Sequence, residues 1–151
     1  MMKKTLLAAC IAVSALTMTS AGAIASDEGE IKYRKSVMKS IGGHMGAIAG
    51  IMKGETGNAT HLKMHAQAME TLSGVVGDLF PAGSDFGDTT VLPAVWEKPQ
   101  EFAAAVKQLE DAAKGMNAAA MSGDMAQVGA AMGELGKACK NCHENFREKK
   151  Q

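Results

Sequence analysis

One stretch near the C-terminus repeats its apolar and cysteine residues with unbroken helical spacing. The intervals are 3, 4, 3, 4, 3 and 4 residues, through Met125, Val128, Met132, Leu135, Cys139, Cys142 and Phe146. This spacing places all seven side chains on one face of a helix. Asp124 just before the stretch is a good N-cap, and Gln127 stands at the capping-box position. The chain is therefore predicted to end in a helix whose two cysteines face a core.

The two cysteines belong to a C-x-x-C-H pentapeptide, Cys139-Lys140-Asn141-Cys142-His143. The pattern is typical of c-type haem attachment, in which two thiols bind the porphyrin vinyl groups and the histidine ligates iron. A redox dithiol or part of a zinc site uses the same C-x-x-C spacing. A zinc site would need a fourth ligand, and the other histidines are distant in sequence. A thioredoxin-like pair would normally follow a strand, and no strand is visible nearby, so the pattern favours haem.

The first 25 residues have the organisation of a signal peptide. Lys3 and Lys4 are followed by an apolar segment at 6–18 and by the A-x-A site at 23–25. Cleavage is predicted after Ala25, which leaves residues 26–151 as one domain with no membrane attachment. A lipoprotein reading at Cys10 would leave almost no apolar segment upstream of that cysteine. Removal of the signal leaves Cys139 and Cys142 as the only thiols of the three in the chain.

Composition favours closely packed helices and gives no sign of a nucleic-acid or lipid partner. Aromatic residues make up only 4% of the chain, whereas Met and Ala are abundant. Loss of Lys3 and Lys4 with the signal leaves 14 of the 16 basic residues against 16 acidic ones. Without a basic stripe, binding to nucleic acid or to an anionic membrane surface is not expected.

Apolar periodicity predicts three further helices, at about 27–53, 59–79 and 99–121, to give an all-α four-helix bundle. Asn58 can cap the second helix, and Pro99 fits the first turn of the third. The predicted core stripes are Ile31, Met38, Ile41, Met45, Ile48 and Met52; then Leu62, Ala66, Met69, Leu72, Val76 and Leu79; then Phe102, Val106, Leu109, Ala113 and Met116. Residues 80–98 form a long connection that contains the only tryptophan, Trp96, as its expected core anchor.

Two other patterns have both a functional and an ordinary explanation. Gly43, Gly46 and Gly50 recur along the first helix, either because another helix or a flat cofactor approaches closely or because a long helix tolerates them. His61 and His65 have the i, i+4 spacing of a metal pair. No acidic or thiol partner follows them in the helical register, so surface or boundary histidines are the favoured interpretation.

Three segments together carry a family pattern: C-x-x-C-H-x-x-[FY]-[RK] at 139–147, residues 33–38, and the connection 80–88 leading to Pro93 and Trp96. They resemble the cytochrome c′ family of class II c-type cytochromes, over essentially the whole mature chain. The resemblance implies a left-handed antiparallel bundle of up-down-up-down topology with one covalent haem. It also implies a periplasmic location and a homodimer formed through the first two helices.

The resemblance also implies roles for individual residues. Cys139 and Cys142 would form the thioether links, and His143 would be the axial iron ligand. Arg147 would lie over the same face of the haem as His143. Other family positions match Arg34 and Lys35, which would contact the haem and its propionates, and Asp88, which would close over the haem edge.

Met38 decides between two functions. If Met38 only packs, iron is five-coordinate and high-spin, and the protein binds NO or CO and takes part in one-electron transfer. If its thioether is the sixth ligand, as in low-spin relatives, the protein is an electron carrier. The family resemblance favours packing. The chain is not expected to be an enzyme, because no second metal, base or substrate pocket is visible, and its redox partner is not identifiable.

Overall fold

The computed structural model describes residues 27–149, so the predicted signal peptide lies outside the described residues. Within this range five α-helices follow one another: α1 (Asp27–Met52), α2 (Leu62–Ser73), α3 (Ala94–Glu97), α4 (Pro99–Ser122) and α5 (Met125–Phe146). Short 3₁₀ turns occupy Ala59–His61 and Val76–Leu79. α4 packs against both α5 and α2, and α1 packs against α2. The all-α four-helix bundle is confirmed, with α3 as a small addition.

The core follows the predicted stripes with a few corrections. Every predicted core residue of α4 is buried, as are Ile31, Ile41 and Ile48 of α1. Met38, Met45 and Met52 are only partly buried and pack against the core. Val37 and Ile51 are buried although the predicted stripe omitted them. Met125 was expected inside and is 50% exposed, because it is the first residue of α5, beyond the packed part of the bundle.

The second predicted helix is shorter than expected. It breaks after Ser73 and resumes only as the 3₁₀ turn Val76–Leu79. Gly74 and Gly77 flank two β-branched valines there, and both residue types have weak helix propensity. Val76 and Leu79 are nonetheless buried where the stripe placed them. The prediction that Asn58 caps this helix was wrong, since its side chain makes no capping hydrogen bond.

The start of α5 is capped by the residues that the sequence indicated. Asp124 accepts hydrogen bonds from the backbone N–H groups of Ala126 and Gln127, at 2.8 and 3.3 Å. The Gln127 amide closes the arrangement by donating to the second Asp124 carboxylate oxygen at 2.9 Å. Gly123 precedes the cap with a positive φ of 78°, which glycine adopts at little cost. α4 and α5 are thus joined by a tight turn, which aligns them as antiparallel neighbours.

The connection between the two halves of the bundle is folded back onto the C-terminus. Leu92 donates its N–H to the Phe146 carbonyl at 3.0 Å, and Glu148 donates to the Thr90 carbonyl at 2.8 Å. Trp96 is partly buried against the core and donates its indole N–H to the Phe80 carbonyl at 3.1 Å. The neighbouring Val95 is the fully buried residue, at 4% exposure. Residues 80–98 therefore form an ordered cover at one end of the bundle.

The glycines of α1 do not mark a close internal approach. Within residues 27–149, no atom of another element lies within 4 Å of the position that a Cβ would take at Gly43 or Gly46. At Gly50 the nearest such atom is a Glu55 carboxylate oxygen at 3.7 Å. Gly43 and Gly46 are exposed. Packing inside one chain therefore gives no reason for these two glycines.

Candidate haem site

A single cavity brings together the residues that the sequence analysis assigned to the haem. Its volume is about 570 Å³, within the range of small-molecule and cofactor sites. α1, α5 and the connection between α2 and α3 contribute its walls. The eight predicted site residues all line it: Arg34, Lys35, Met38, Asp88, Cys139, Cys142, His143 and Arg147.

The α5 wall presents the C-x-x-C-H motif to the cavity. Leu135 and Ala138 are fully buried and fix the rotation of α5 against the bundle. Cys139, Cys142 and His143 follow on the same side and are each partly buried. The two thiols are free in this structure and are not joined in a disulfide. The helix therefore holds two nucleophilic sulfurs and one imidazole at the edge of an apolar cavity.

Burial controls the protonation of this motif. Desolvation raises the pKa of both thiols, and for Cys142 the neighbouring Cys139 raises it further while Arg147 opposes. Burial lowers the pKa of His143, and the positive charge of Arg147 lowers it again. The neutral imidazole is thus favoured, and this is the form that can ligate a metal.

The α1 wall is apolar and contains two thioethers. Met38, Ile41 and Met45 line the cavity from this helix, beside the backbone of Gly42. No imidazole lies among the described α1 residues of the lining, since His44 is not part of it. Three phenylalanines form another wall, with Phe102 in edge contact with Phe80 and Phe146 at centroid distances of 4.9 and 5.3 Å. A large, flat apolar group could pack well against these side chains.

Arg34 anchors the segment that follows α2, a role that the sequence did not predict. It is 3% exposed, and its guanidinium donates four hydrogen bonds to the segment that follows α2. The acceptors are the Leu79 carbonyl at 3.1 Å, the Ser84 hydroxyl and carbonyl both at 2.8 Å, and the Thr89 hydroxyl at 3.0 Å. The same group lies over the Phe80 ring at 5.0 Å. Burial lowers the Arg34 pKa, with Glu30 opposing, and an arginine in this setting stays charged.

The neighbouring Lys35 behaves differently. Its ammonium group donates to the Asp88 carboxylate at 2.6 Å and to the Asp88 carbonyl at 3.2 Å. Both side chains are open to solvent, at 52% and 94% exposure. This pair lies at the mouth of the cavity and is exposed to solvent, whereas Arg34 is buried and held by four hydrogen bonds.

Arg147 is positioned by the backbone and not by the helix. α5 ends at Phe146, and Arg147 is extended, with φ of −134° and ψ of 139°. It forms an isolated antiparallel bridge with Val91 of the connection. Phe146, one residue before it, is 5% exposed and anchors the end of α5. Arg147 and His143 both line the cavity, and the bridge to Val91 holds the backbone of Arg147 there.

A histidine pair lies outside the cavity. His44 of α1 and His65 of α2 are joined by a hydrogen bond of 2.9 Å between their Nδ1 atoms, and both rings are partly exposed. Burial lowers the His65 pKa, and His44 and His61 lower it further. His61 is exposed. No group of three or more His, Cys, Asp or Glu side chains in residues 27–149 is arranged to hold a metal ion. Sequence reasoning missed the pair because its members are on different helices.

The cavity satisfies the requirements of a c-type haem. It combines two thiols and an imidazole on one helix, walls of apolar and aromatic side chains, and basic groups at its margin. A zinc centre fits less well, because within residues 27–149 no third His, Cys, Asp or Glu side chain is grouped with the two thiols to hold a metal.

Comparison with known proteins gives the same answer. The family model described as Cytochrome C′ matches residues 29–147. The chain belongs to the cytochrome c′ family. This family carries a covalently attached c-type haem, and Cys139 and Cys142 stand in the attachment motif. Within residues 27–149, no helix is both long and apolar enough to cross a membrane.

Individual relatives agree in length and fold. Cytochrome c′ of Pararhodospirillum photometricum is 39% identical over 125 residues, which cover 82% of this chain and 100% of the relative. Cytochrome c-554 of Cereibacter sphaeroides is 39% identical over 124 residues, covering 79% of this chain and 80% of the relative. An NO-bound ferrous variant of Alcaligenes xylosoxidans cytochrome c′ superposes with a TM-score of 0.77 at 29% identity, covering 84% and 99% of the two chains. The match thus spans both halves of the bundle.

Proposed function

We propose that this protein is an exported c-type cytochrome with His143-ligated, five-coordinate, high-spin iron, which binds NO or CO and takes part in one-electron transfer. The observation that carries the proposal is the composition of the cavity. His143 lines it from α5, while α1 contributes Met38, Ile41 and Met45, with no imidazole. The NO complex of the Alcaligenes relative supports a diatomic gas as ligand.

The predicted site residues then have the following proposed roles. Cys139 and Cys142 would hold the haem through thioether bonds, and His143 would supply a nitrogen ligand to its iron. The haem contributes the iron that binds the gas and exchanges the electron. Met38, packed against the core, would fill space on the α1 side of the cavity and limit the size of the ligand that can enter. No residue is assigned a catalytic role.

The charged residues position the haem and its cover. Arg34 uses its four hydrogen bonds to hold residues 79–89 in place, so its proposed effect on the haem is mainly indirect. Lys35 lies at the mouth of the cavity with an exposed ammonium group, and we assign it to a haem propionate. Asp88 closes the same edge as its partner. Arg147 places a positive charge beside His143.

The alternative is a low-spin electron carrier in which the Met38 thioether is the sixth ligand. Its support is that Met38 lines the same cavity as His143. The two functions require different spin states, so the visible spectrum of the reduced protein separates them. The proposal predicts a broad high-spin band that changes on addition of CO. Sharp, split bands that resist CO would establish the alternative.

A Met38→Ala variant sharpens this test. If Met38 only packs, the spectrum without CO stays high-spin and CO binds faster, because the cavity is wider. If Met38 is the ligand, the native low-spin bands are replaced by high-spin ones. Met45→Ala is a matched control, since it removes the other methionine that α1 contributes to the cavity.

Export and assembly complete the proposal. The segment 1–25 is proposed to direct export to the periplasm and to be cleaved after Ala25, which the N-terminal mass of the purified protein would test. A homodimer through α1 and α2 is proposed from the family resemblance. The exposed Gly43 and Gly46 are compatible with it, because at these two positions no side chain would hold a second helix away from α1. Sedimentation velocity of the holoprotein would distinguish a dimer from a monomer.

A further inference from the structure

His44 and His65 form a preorganised pair away from the haem cavity. Their Nδ1 atoms are 2.9 Å apart, and their ring centroids are 5.2 Å apart at an angle of 56°. At this distance one Nδ1 donates a proton and the other accepts it. Neither ring lines the haem cavity, and both are partly open to solvent. The two Nδ1 atoms are thus close enough to bind one shared ligand once the donor proton leaves.

The bundle core fixes this separation. On α1, His44 stands between Ile41 and Ile48, which are 7% and 0% exposed. On α2, His65 is followed directly by Ala66, which is 0% exposed, and Leu62 one turn earlier is 6% exposed. Because each backbone is anchored by buried neighbours, the two rings are brought together by the packing of α1 on α2. Such a pair needs little rearrangement to bind a shared ligand.

The separation matches one class of metal geometry. With metal–nitrogen bonds of about 2.0–2.1 Å, two cis donors of a square-planar centre lie roughly 2.8–3.0 Å apart, and two donors of a tetrahedral centre roughly 3.3–3.4 Å apart. The 2.9 Å separation is that of an ordinary hydrogen bond, and it also lies within the square-planar range, so the two nitrogens would need little displacement to bind such a metal. Copper(II) prefers tetragonal nitrogen sites and binds most strongly among the divalent first-row metals.

We propose that His44 and His65 form a copper(II) site that joins α1 to α2 through the two Nδ1 atoms. On binding, the proton shared between the rings moves to Nε2 of its own ring through solvent, so both imidazoles remain neutral. Water fills the remaining positions of the metal. Solvent can reach these positions, because both rings are partly exposed.

The test uses untagged ferric holoprotein titrated with copper(II) and followed by electron paramagnetic resonance. The proposal predicts one copper per chain with hyperfine splitting from two nitrogens. Replacing either ligand, in His44→Gln or His65→Gln, should weaken copper binding by at least about 100-fold, because losing a direct ligand should cost more than the roughly 10–100-fold typical of losing an outer-shell partner. Each variant should also leave at most one coupled nitrogen, while the haem spectrum stays native.

His61→Gln is the matched control. His61 is exposed and stands one helical turn before His65, so it offers the competing i, i+4 pair. The proposal predicts unchanged copper affinity in this variant. Copper binding that is weakened equally by His61→Gln and His65→Gln, but not by His44→Gln, would overturn it in favour of that pair. Native affinity in His44→Gln, or no binding by the unaltered protein, would overturn it as well.

Discussion

The helix α5 and the connection at 80–98 form two walls of the same cavity, but they are held in place by different means. The position of α5 is determined by residues within it or next to it. These are the cap at Asp124, an unbroken apolar stripe, and a ligand motif in register with that stripe. The connection has no periodicity and depends on distant partners, above all Arg34, 45 to 55 positions earlier in the chain. The ligand residues on α5 are thus positioned by local sequence, whereas residues 80–98 are positioned by hydrogen bonds to residues far away in the chain.

The largest effect is expected on the locally encoded side. In a Cys139→Ser, Cys142→Ser double variant, no haem should remain attached after denaturation, because both thioether bonds are lost. Mass spectrometry of the unfolded protein would measure this as loss of the haem mass. Lys140→Ala, inside the same motif but exposed, should keep its haem. Haem that remains covalently bound in the double variant would contradict the assignment.

Changing Arg34 should release the connection that covers the cavity. Arg34→Met removes a buried charge and leaves the Leu79 and Ser84 carbonyls without donors, so unfolding free energy should fall by about 3–5 kcal/mol. Denaturant titration of the holoprotein measures it. Lys35→Met is the adjacent control and should cost less than about 1 kcal/mol, because its ion pair with Asp88 is exposed. Equal losses in the two variants would mean that the connection is not held by Arg34.

A smaller effect is expected at the far end of the connection. Trp96→Phe keeps an aromatic ring against the core but removes the hydrogen bond to the Phe80 carbonyl. The expected loss is about 1–2 kcal/mol of unfolding free energy, from one unsatisfied carbonyl and reduced packing. If Trp96→Phe is as harmful as Arg34→Met, the indole and not the guanidinium is the main anchor.

The smallest effect should come from the α5 cap. Asp124→Ala should lower the melting temperature by a few degrees, whereas Asp124→Asn should largely preserve it because the amide oxygen can still accept. The hydrogen bonds from Gln127 and Ala126 lower the Asp124 pKa. The stabilisation from this carboxylate is therefore present above the usual aspartate pKa and lost as pH falls through the lowered value. The stability gap between the native protein and Asp124→Ala should shrink over that acidic range, and a constant gap would argue against the cap.

What could be predicted from the sequence follows the same division. The sequence predicted helices α1, α4 and α5 and the C-x-x-C-H motif correctly, because apolar spacing and caps are local signals. The family resemblance predicted that Arg34 contacts the haem. Its hydrogen bonds to Ser84 and Thr89 could not be predicted, because residues 79–89 have no sequence pattern that indicates them. The break at Gly74 was missed because Val76 and Leu79 continue the stripe. His44 and His65 could not be paired from spacing, because only the packing of α1 on α2 brings them together.

The state of the iron opposite His143 is the central claim, and X-ray absorption at the iron edge of the holoprotein tests it most directly. With Met38 as a packing residue, the proposal predicts nitrogen ligands only, from the porphyrin and His143, and no sulfur at bonding distance. A sulfur scatterer in the first coordination shell, lost in Met38→Ala, would contradict the account and make the protein a six-coordinate electron carrier.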